Sequence, residues 1–375
     1  MDKRQFLKTA FYGTGGIFCI GNPLKLIASS QKSSYIGTKW CVEALYYTQT
    51  PKGLLCQICP NECTIKEGES GDCRNHVNYK GKLYSIAYGN PCAVHVDPIE
   101  KKPLLHFLPA SKAFSIATAG CNLACLNCQN WTISQSSPDE TDNYDLLPEK
   151  VVENCISKNC DSIAYTYSEP ITFYEYTYDS AKLAKEAGIK NVMVTAGYIH
   201  KDPLLKLCKV IDAANVDLKS FSNEIYLKLN AGKLQPVLDT LITMKENGVW
   251  LEITNLVVPS WTDDFDMIKR MCNWLVENNF EYTPLNFSRF QPLYKLTNLP
   301  PTPINTLKKA RDIALAEGLK HVYIGNVPGI GAENTFCPKC SKMVVERRGY
   351  RILQNHIINS KCEYCNEIIN GIWEK

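Results

Sequence analysis

Three cysteines, Cys121, Cys125 and Cys128, lie in one short stretch, AGCNLACLNCQNWTIS (residues 119–134), with the spacing C-x3-C-x2-C. Cysteines grouped this closely are typical metal ligands. Three thiolates can bind three irons of a [4Fe–4S] cluster and leave the fourth iron open to a small molecule. Zinc with a distant fourth ligand is the alternative, but structural zinc sites more often use two C-x2-C pairs. The stretch therefore favours a cluster with one open coordination position.

A second group of cysteines lies near the C-terminus and has the spacing C-x2-C-x21-C-x2-C. Two such pairs supply four soft ligands and close the coordination sphere, which predicts a structural zinc ribbon. A rubredoxin-like iron site is the alternative. The four predicted ligands are Cys337, Cys340, Cys362 and Cys365.

A third group lies near the N-terminus, with the spacing C-x2-C-x3-C-x9-C: Cys56, Cys59, Cys63 and Cys73. Four thiolates at this spacing are compatible with zinc or with an auxiliary [4Fe–4S] cluster, and the sequence favours neither. Cys41, Cys92 and His76 are additional candidate ligands.

The elements that position the first group form a regular pattern after residue 111. Short β-type runs, beginning with AFSIATAG and SIAYTYSE, alternate with segments of helical periodicity. Six or seven such units predict parallel strands with crossover helices, and hence a full or partial (β/α) barrel. A doubly wound sheet is the alternative, but no G-x-G-x-x-G follows the first strand.

The chain divides into four predicted segments. These are a signal-like or disordered N-terminal segment (1–35), a Cys-rich module (36–110), the barrel (111–330) and a zinc-ribbon-like module (331–375). If AFSIATAG is the first barrel strand, the three cysteines follow its C-terminal end. Barrel enzymes build their active sites on that face.

The composition is that of an ordinary globular protein of 375 residues, with a formal net charge of +3 from 41 basic and 38 acidic residues. This balance, without a long basic run, predicts no nucleic-acid partner. Among the 18 cysteines, those in close groups favour metal ligation over disulfides.

The N-terminal MDKRQFLKTAFYGTGGIFCIG is too short in its apolar part for a membrane-spanning helix, so we expect no stable membrane insertion. KRQFLK is similar to a twin-arginine export signal, although Lys3 stands where the first arginine belongs. A cytoplasmic N-terminal extension is the alternative. Of the two locations, we favour the cytoplasm.

Six blocks of the sequence, taken in order, resemble a known family: DPIEKKPLLHFLP, GCNLACLNCQNWTIS, TYSEPITFYEY, VDLKSF, LEITNLVVP and HVYIGNV. They are similar to the radical SAM superfamily, and in particular to the radical SAM enzyme of the AmmeMemoRadiSam group, which is related to the pyruvate formate-lyase activating enzymes. The resemblance covers about residues 50–375. It implies an α/β fold, a partial (β/α) TIM-like barrel, with an N-terminal Cys-rich module and a C-terminal zinc-ribbon-like module.

The resemblance also implies roles for individual residues. Cys121, Cys125 and Cys128 match the ligands of a [4Fe–4S] cluster whose open iron binds S-adenosylmethionine. Ser168 and Glu169 match the position that binds the amine of the methionine part, and a carboxylate suits a cationic amine. The remaining predicted cofactor-binding residues are Asp217, Lys219, Thr254 and Asn255. A surface or helix-capping role is the alternative for Glu169 and Asp217, and Pro170 fits a helix start.

The sequence departs from the family pattern at two places. Asn127 stands where an aromatic residue usually packs beside the adenine, and Trp131 is a candidate substitute. Asn286 and Gln291 stand where relatives tend to have histidines, while Arg289 is a candidate for binding a carboxylate or phosphate.

The resemblance implies a radical SAM oxidoreductase that cleaves S-adenosylmethionine reductively to a 5′-deoxyadenosyl radical, which abstracts hydrogen from a protein or peptide substrate. The partners it implies are a flavodoxin- or ferredoxin-like reductant and Amme-like and Memo-like proteins. Two alternatives remain: an activase of a glycyl-radical enzyme, and a non-catalytic iron–sulfur or zinc electron-transfer protein.

Overall fold

Two small antiparallel sheets form the N-terminal part of the protein, seen in a computed structural model that describes residues 33–327 and 329–374. One sheet has the strand order β1-β6-β5 and the other β2-β3-β4. The strands are β1 (Val42–Glu43), β2 (Tyr47–Thr50), β3 (Gly53–Cys56), β4 (Thr64–Ile65), β5 (His76–Tyr79) and β6 (Lys82–Ser85).

The central sheet contains eight strands in the order β14-β13-β12-β11-β10-β9-β8-β7. Its strands are β7 (Ala93–Pro98), β8 (Lys112–Ala117), β9 (Ser162–Tyr165), β10 (Lys190–Thr195), β11 (Ala213–Asp217), β12 (Trp250–Val257), β13 (Leu285–Arg289) and β14 (Val322–Gly325). Strands β8 to β14 are parallel, and β7 pairs antiparallel with β8 at the edge. The boundary predicted at residues 110 and 111 therefore cuts this sheet, because β7 lies in the segment assigned to the Cys-rich module.

The order of the strands distinguishes a barrel from a doubly wound sheet. Each parallel strand pairs with its sequence neighbours, and the order never reverses. Right-handed crossovers then all lie on one face, and the sheet curls round its other face. No pairing joins β7 to β14 within the described residues, so the barrel is partial, as predicted.

The helices follow the strands as the periodicity predicted. They are α1 (Trp131–Ser134), α2 (Pro148–Ser157), α3 (Tyr174–Glu186), α4 (Lys201–Cys208), α5 (Asn223–Ile225), α6 (Leu234–Glu246), α7 (Phe265–Glu277) and α8 (Ile304–Ala316). A π-helix, Tyr226–Asn230, continues α5. In α7, Asp264 accepts hydrogen bonds from the N–H groups of Asp266 and Met267, and residues such as Met271 and Leu275 face the core. Among the described residues, no helix is both long and apolar enough to cross a membrane.

The C-terminal module contains a three-stranded sheet and a two-stranded sheet. The strands are β15 (Thr335–Phe336), β16 (Met343–Arg348), β17 (Arg351–Asn355), β18 (Ile357–Ile358) and β19 (Lys361–Cys362). Arg347 is buried and donates through Nη2 to the carbonyl oxygen of Leu105 at 2.7 Å, so the module packs on the segment between β7 and β8. Residues 33–374 belong to one compact unit, and the predicted division into modules stays a prediction. The predicted segment 1–35 lies almost wholly outside the described residues.

Candidate cluster and cofactor site

The loop that carries the three cysteines runs from the end of β8 to α1. Its backbone is bound to the π-helix: the N–H of Ala124 donates to Asn230 at 3.0 Å, and that of Leu126 to Leu229 at 2.9 Å. The side chain of Asn230 also donates to Sγ of Cys125, at 3.2 Å. Single π turns inside helices occur frequently at functional sites, and this one positions a thiol.

The N-terminal module supports the other side of the loop. Gly120 has a φ of +100°, and a Cβ there would lie 2.5 Å from the carbonyl oxygen of Cys73. The side chain of Asn75 donates to the carbonyl oxygen of Ala119 at 2.7 Å. Asn61 likewise donates to the carbonyl oxygen of Asn122, at 2.8 Å. The residues before and after Cys121 are therefore fixed by the Cys-rich module.

A cavity of about 900 Å³ opens beneath this loop inside the partial barrel. Nearly all the predicted ligand and cofactor-binding residues of the barrel line it: Cys121, Cys125, Cys128, Ser168, Glu169, Asp217, Lys219 and Thr254. Asn255 is the exception among them. Its side chain donates to the carbonyl oxygen of Leu218 at 2.7 Å and points away from the cavity, because neighbouring residues of a strand face opposite sides.

Glu169 is buried at the N-terminus of the 3-10 helix Pro170–Phe173. Its Oε1 accepts from the Thr195 hydroxyl at 2.6 Å, and its Oε2 accepts from the N–H of Ala196 at 2.8 Å. Burial raises the pKa of the carboxyl group, and the hydrogen bonds oppose that shift. A buried carboxylate on a cavity wall is suited to a cationic ligand, so Glu169 combines the capping role with a place at the site.

Asp217 and Lys219 form an ion pair on the same wall, with Nζ 2.8 Å from Oδ2. Burial alone would lower the pKa of Lys219, but the charges of Asp217 and Cys125 raise it above its usual value. Lys219 therefore keeps its positive charge, and it lies near Cys125, a predicted cluster ligand. It offsets part of the negative charge that thiolates bring to a metal.

Six buried polar atoms of cavity-lining residues have no hydrogen-bond partner among the described residues, among them Oε2 of Glu100, Oδ1 of Asn230 and Oε2 of Glu333. The other three are Oγ1 of Thr254, Oδ1 of Asn286 and Oδ1 of Asn127. Buried polar groups usually have partners, so these atoms are available to a polar ligand. Asn286 and Gln291, the departures from the family's histidines, both line the cavity.

Two other candidates lie elsewhere. Trp131 is 42% exposed and stacks on Tyr294, with ring centroids 5.3 Å apart, so the structure does not place it where it would replace an aromatic residue at Asn127. Arg289 donates from Nε to the carbonyl oxygen of Thr302 at 2.9 Å and is not among the cavity-lining residues.

The distances between sulfur atoms indicate which kind of metal centre each set of cysteines fits. A tetrahedral zinc with Zn–S bonds of about 2.3 Å holds its sulfurs about 3.8 Å apart. In the C-terminal group, Cys337 and Cys365 are 3.6 Å apart, and Cys340 and Cys362 are 3.8 Å apart. Of the residues described, only this group brings three or more metal-donor atoms within 4.8 Å of one another. The three loop thiols are more widely spaced, as expected for ligands that each bind a different iron, and the residues fit a cluster.

The four N-terminal thiols surround one small cavity of about 20 Å³. His76 also lines it, with Nδ1 3.5 Å from Sγ of Cys73 and Nε2 3.4 Å from Glu175, whereas Cys41 and Cys92 do not. Burial raises the pKa of Cys59 to about 12. For Cys73, burial would raise the pKa of the thiol, but contact with His76 outweighs burial and lowers it.

Comparison with known proteins identifies a superfamily and several relatives. The profile of the radical SAM superfamily matches residues 115–274. The uncharacterized protein MJ0808 of Methanocaldococcus jannaschii is 46% identical over 331 residues, which cover 88% of this chain and 98% of that protein. The pyruvate formate-lyase 1-activating enzyme of Escherichia coli K12 is 25% identical over 218 residues, covering 54% of this chain and 89% of the enzyme. Streptococcus suis SuiB bound to S-adenosylmethionine has a TM-score of 0.46 at 14% identity and covers 61% of this chain and 53% of its own.

The chain belongs to the radical SAM superfamily. It is a radical SAM enzyme, and the superfamily implies a [4Fe–4S] cluster and S-adenosylmethionine as its cofactors. The alternative of a protein without chemistry of its own is thereby excluded.

Sequence reasoning did not identify four residues that stand together beside this cavity: Asp97, Lys101, Lys102 and Tyr167. The block DPIEKKPLLHFLP contains three of them, but an EKKP sequence is usually a solvated surface run. Only the burial of Lys102, whose side chain is 1% exposed, distinguishes it from such a run.

Proposed function

We propose that this protein abstracts a hydrogen atom from a protein or peptide substrate, as the radical SAM component of an AmmeMemoRadiSam-type system. Bound together, the reduced cluster and S-adenosylmethionine supply a 5′-deoxyadenosyl radical for this step. The observation that supports the proposal is the convergence of three thiols, a buried carboxylate and an ion pair on one cavity of about 900 Å³.

Each residue has a role in this proposal that follows from its position. The thiols of Cys121, Cys125 and Cys128 hold three irons, and Glu169 accepts hydrogen bonds from the amine of the cofactor. Lys219 balances charge beside Cys125, and the unpartnered Oγ1 of Thr254 offers a further polar contact.

Anaerobic reconstitution with iron and sulfide tests the proposal. We expect the reduced wild-type protein to form 5′-deoxyadenosine from S-adenosylmethionine, and Cys125→Ala to lose this activity by at least a hundredfold. Cys208→Ala, which removes a cysteine of α4 outside the cavity, is the matched control. Equal product from wild type and Cys125→Ala would refute the assignment of the loop.

A glycyl-radical activase is the second candidate, favoured by the 25% identity to a pyruvate formate-lyase activating enzyme. It would take hydrogen from a glycine of a partner protein. A neighbouring gene for a glycyl-radical enzyme supports this candidate, whereas Amme-like or Memo-like neighbours support the first.

For the flanking groups we propose zinc in the C-terminal group and an auxiliary [4Fe–4S] cluster at Cys56, Cys59, Cys63 and Cys73. The sulfur spacing supports both assignments, since no three of the N-terminal thiols approach as closely as a single zinc requires. The auxiliary cluster would receive an electron from a flavodoxin- or ferredoxin-like protein. Asn122 lines the N-terminal cavity and directly follows Cys121 in the chain. The path from the N-terminal thiols to Cys121 is therefore short.

We place the protein in the cytoplasm, because that compartment supplies both S-adenosylmethionine and reductant. The twin-arginine-like segment that argues for export lies outside the described residues. Fractionation of cells that produce the tagged full-length protein distinguishes the two locations.

A further inference from the structure

Two adjacent lysines, Lys101 and Lys102, contribute positive charge to the wall of the reaction cavity. They follow β7, whose last residue, Pro98, pairs with Lys112 at the start of β8. Cys121, Cys125 and Cys128 follow the other end of β8, after Ala117. The lysine pair and the thiols therefore come from chain segments at opposite ends of the barrel and meet in one cavity.

One carboxylate serves both lysines. Oδ1 of Asp97 lies 2.8 Å from Nζ of Lys101, and Oδ2 lies 2.7 Å from Nζ of Lys102. The Tyr167 hydroxyl also donates to Oδ2, so this carboxylate has three donors. Two ammonium groups against one carboxylate leave a net positive charge at the wall.

Lys102 is unusual because its ammonium group is buried, with 1% of the side chain exposed. Its only hydrogen bond within the described chain is to Asp97, and its Nζ lies 4.3 Å from the centre of the Tyr167 ring. An ammonium group has three N–H donors, so two remain for another acceptor. A buried charge without full hydrogen bonding is costly unless a ligand supplies the missing acceptors.

The neighbouring acidic residue does not neutralise the pair. Glu100 lines the cavity as well, but its Oε1 accepts from the N–H of Ala110 at 2.7 Å, and neither lysine is bonded to it. Burial raises the pKa of Glu100, and its hydrogen bond to the N–H of Ala110 opposes the shift.

We propose that Lys101 and Lys102 form an anion-binding subsite of the reaction cavity, which takes a carboxylate or phosphate group of the substrate. The inference rests on the proposed function, because it takes the cavity to be the place of reaction. It adds the chemical class of the group that the substrate must present.

Binding of simple anions to the cluster-loaded enzyme tests the subsite. Sulfate stands for a phosphate group and acetate for a carboxylate, each measured by isothermal titration calorimetry at constant ionic strength set with sodium chloride. We expect wild type to bind at least one of them. The anion that binds more tightly indicates whether the substrate presents a phosphate or a carboxylate group. Lys101→Met and Lys102→Met should each weaken binding about tenfold or more, as loss of a charge-assisted hydrogen bond predicts.

Lys112→Met is the matched control, since Lys112 is exposed and outside the cavity, and we expect wild-type binding. Lys101→Met keeps the buried pair of Lys102 and Asp97, so it remains informative if Lys102→Met does not fold. Wild-type affinity in Lys101→Met, or no binding of either anion to wild type, would overturn the inference.

A titration in saturating S-adenosylmethionine separates the substrate from the cofactor, which has a carboxylate of its own. We expect the anion to bind beside the cofactor, and displacement by the cofactor would overturn the assignment to substrate. These titrations need no turnover. Anion binding without formation of 5′-deoxyadenosine would contradict the proposed function alone, and the reverse result would contradict the subsite alone.

Discussion

At the scale of single residues, Gly120 determines how closely the cysteine loop approaches the N-terminal module. Its φ of +100° is unfavourable for any residue with a Cβ, and the added atom would also lie 2.6 Å from Oδ1 of Asn75. Gly248 has a similar φ of +76°, but a Cβ there would meet nothing within 4 Å. The two glycines separate the cost of the backbone conformation from the cost of the contact.

We expect Gly248→Ala to lower the free energy of unfolding by about 1 kcal/mol, the usual cost of a left-handed residue. Gly120→Ala should lower it by roughly 3 kcal/mol, because overpacking adds to that cost. It should also reduce iron loading of the loop. Denaturant unfolding and iron analysis measure both effects, and equal losses for the two variants would contradict the close packing.

Lys102 gives a prediction about pH. Burial lowers its pKa to about 8, although Asp97 opposes the shift. The other groups that face it are Lys101 and Tyr167, and burial raises the pKa of Tyr167 so that it stays neutral. Lys102 therefore loses its charge as the pH rises through about 8, and sulfate affinity should fall between pH 7 and pH 9.

In Lys102→Met, sulfate affinity should be nearly constant over this interval, while Lys112→Met should follow wild type. The same shift makes the wild-type protein gain stability between about pH 8 and pH 10.5, because the unfolded chain binds the proton that the folded chain has lost. A sulfate affinity that rises with pH would contradict the assignment of the charge to Lys102.

At the scale of elements, the C-terminal module contributes a turn to the cavity wall, in addition to Glu333. Gly349 and Tyr350, between β16 and β17, line the cavity, and Tyr350 is half exposed. Arg347 anchors this hairpin by donating from Nη1 to the Thr335 hydroxyl at 2.7 Å. The core beneath it includes two of the four thiols, Cys337 and Cys362. A metal held by these thiols would therefore stabilise a wall of the reaction cavity.

We expect Cys362→Ala to lose about one zinc per chain and to increase amide hydrogen exchange in β16 and β17 by at least tenfold, because a structural zinc supplies folding free energy. Metal analysis and hydrogen-exchange mass spectrometry measure these changes. Cys208→Ala should change neither. Full zinc content in Cys362→Ala would contradict the ligand set.

At the scale of the whole molecule, three sets of cysteines lie in or beside one partial barrel. If the assignments are right, the reconstituted protein contains about eight irons and about one zinc, four irons for each cluster. Cys59→Ala should retain about four irons and the zinc. A wild-type content of about four irons and two zincs would instead assign zinc to the N-terminal group.

The sequence predicted much of the fold, because buried parallel strands are continuous apolar runs. The seven β-type runs after residue 111 are AFSIATAG, SIAYTYSE, NVMVTAGY, ANVDLKSF, VWLEITNLVVP, PLNFSRFQP and HVYIGNV, and each contains all or most of one strand from β8 to β14. The sequence did not reveal that β7 extends the same sheet, since pairing at an edge depends on contacts distant in sequence. Likewise, Asn255 points away from the cavity while Thr254 faces it, and one residue of register decides this. Lys102 was missed because burial of a charged side chain leaves no signature in composition.

The contacts of Asn61 and Asn75 with the cysteine loop have a consequence for the order of maturation. Residues 56–76 leave the ribosome before residues 119–130, and the N-terminal end of a chain generally folds first. The residues that contact Gly120 and its neighbours are therefore synthesised before the loop itself. Iron that reaches the N-terminal group of cysteines would thus prepare the chain to accept iron at Cys121, Cys125 and Cys128.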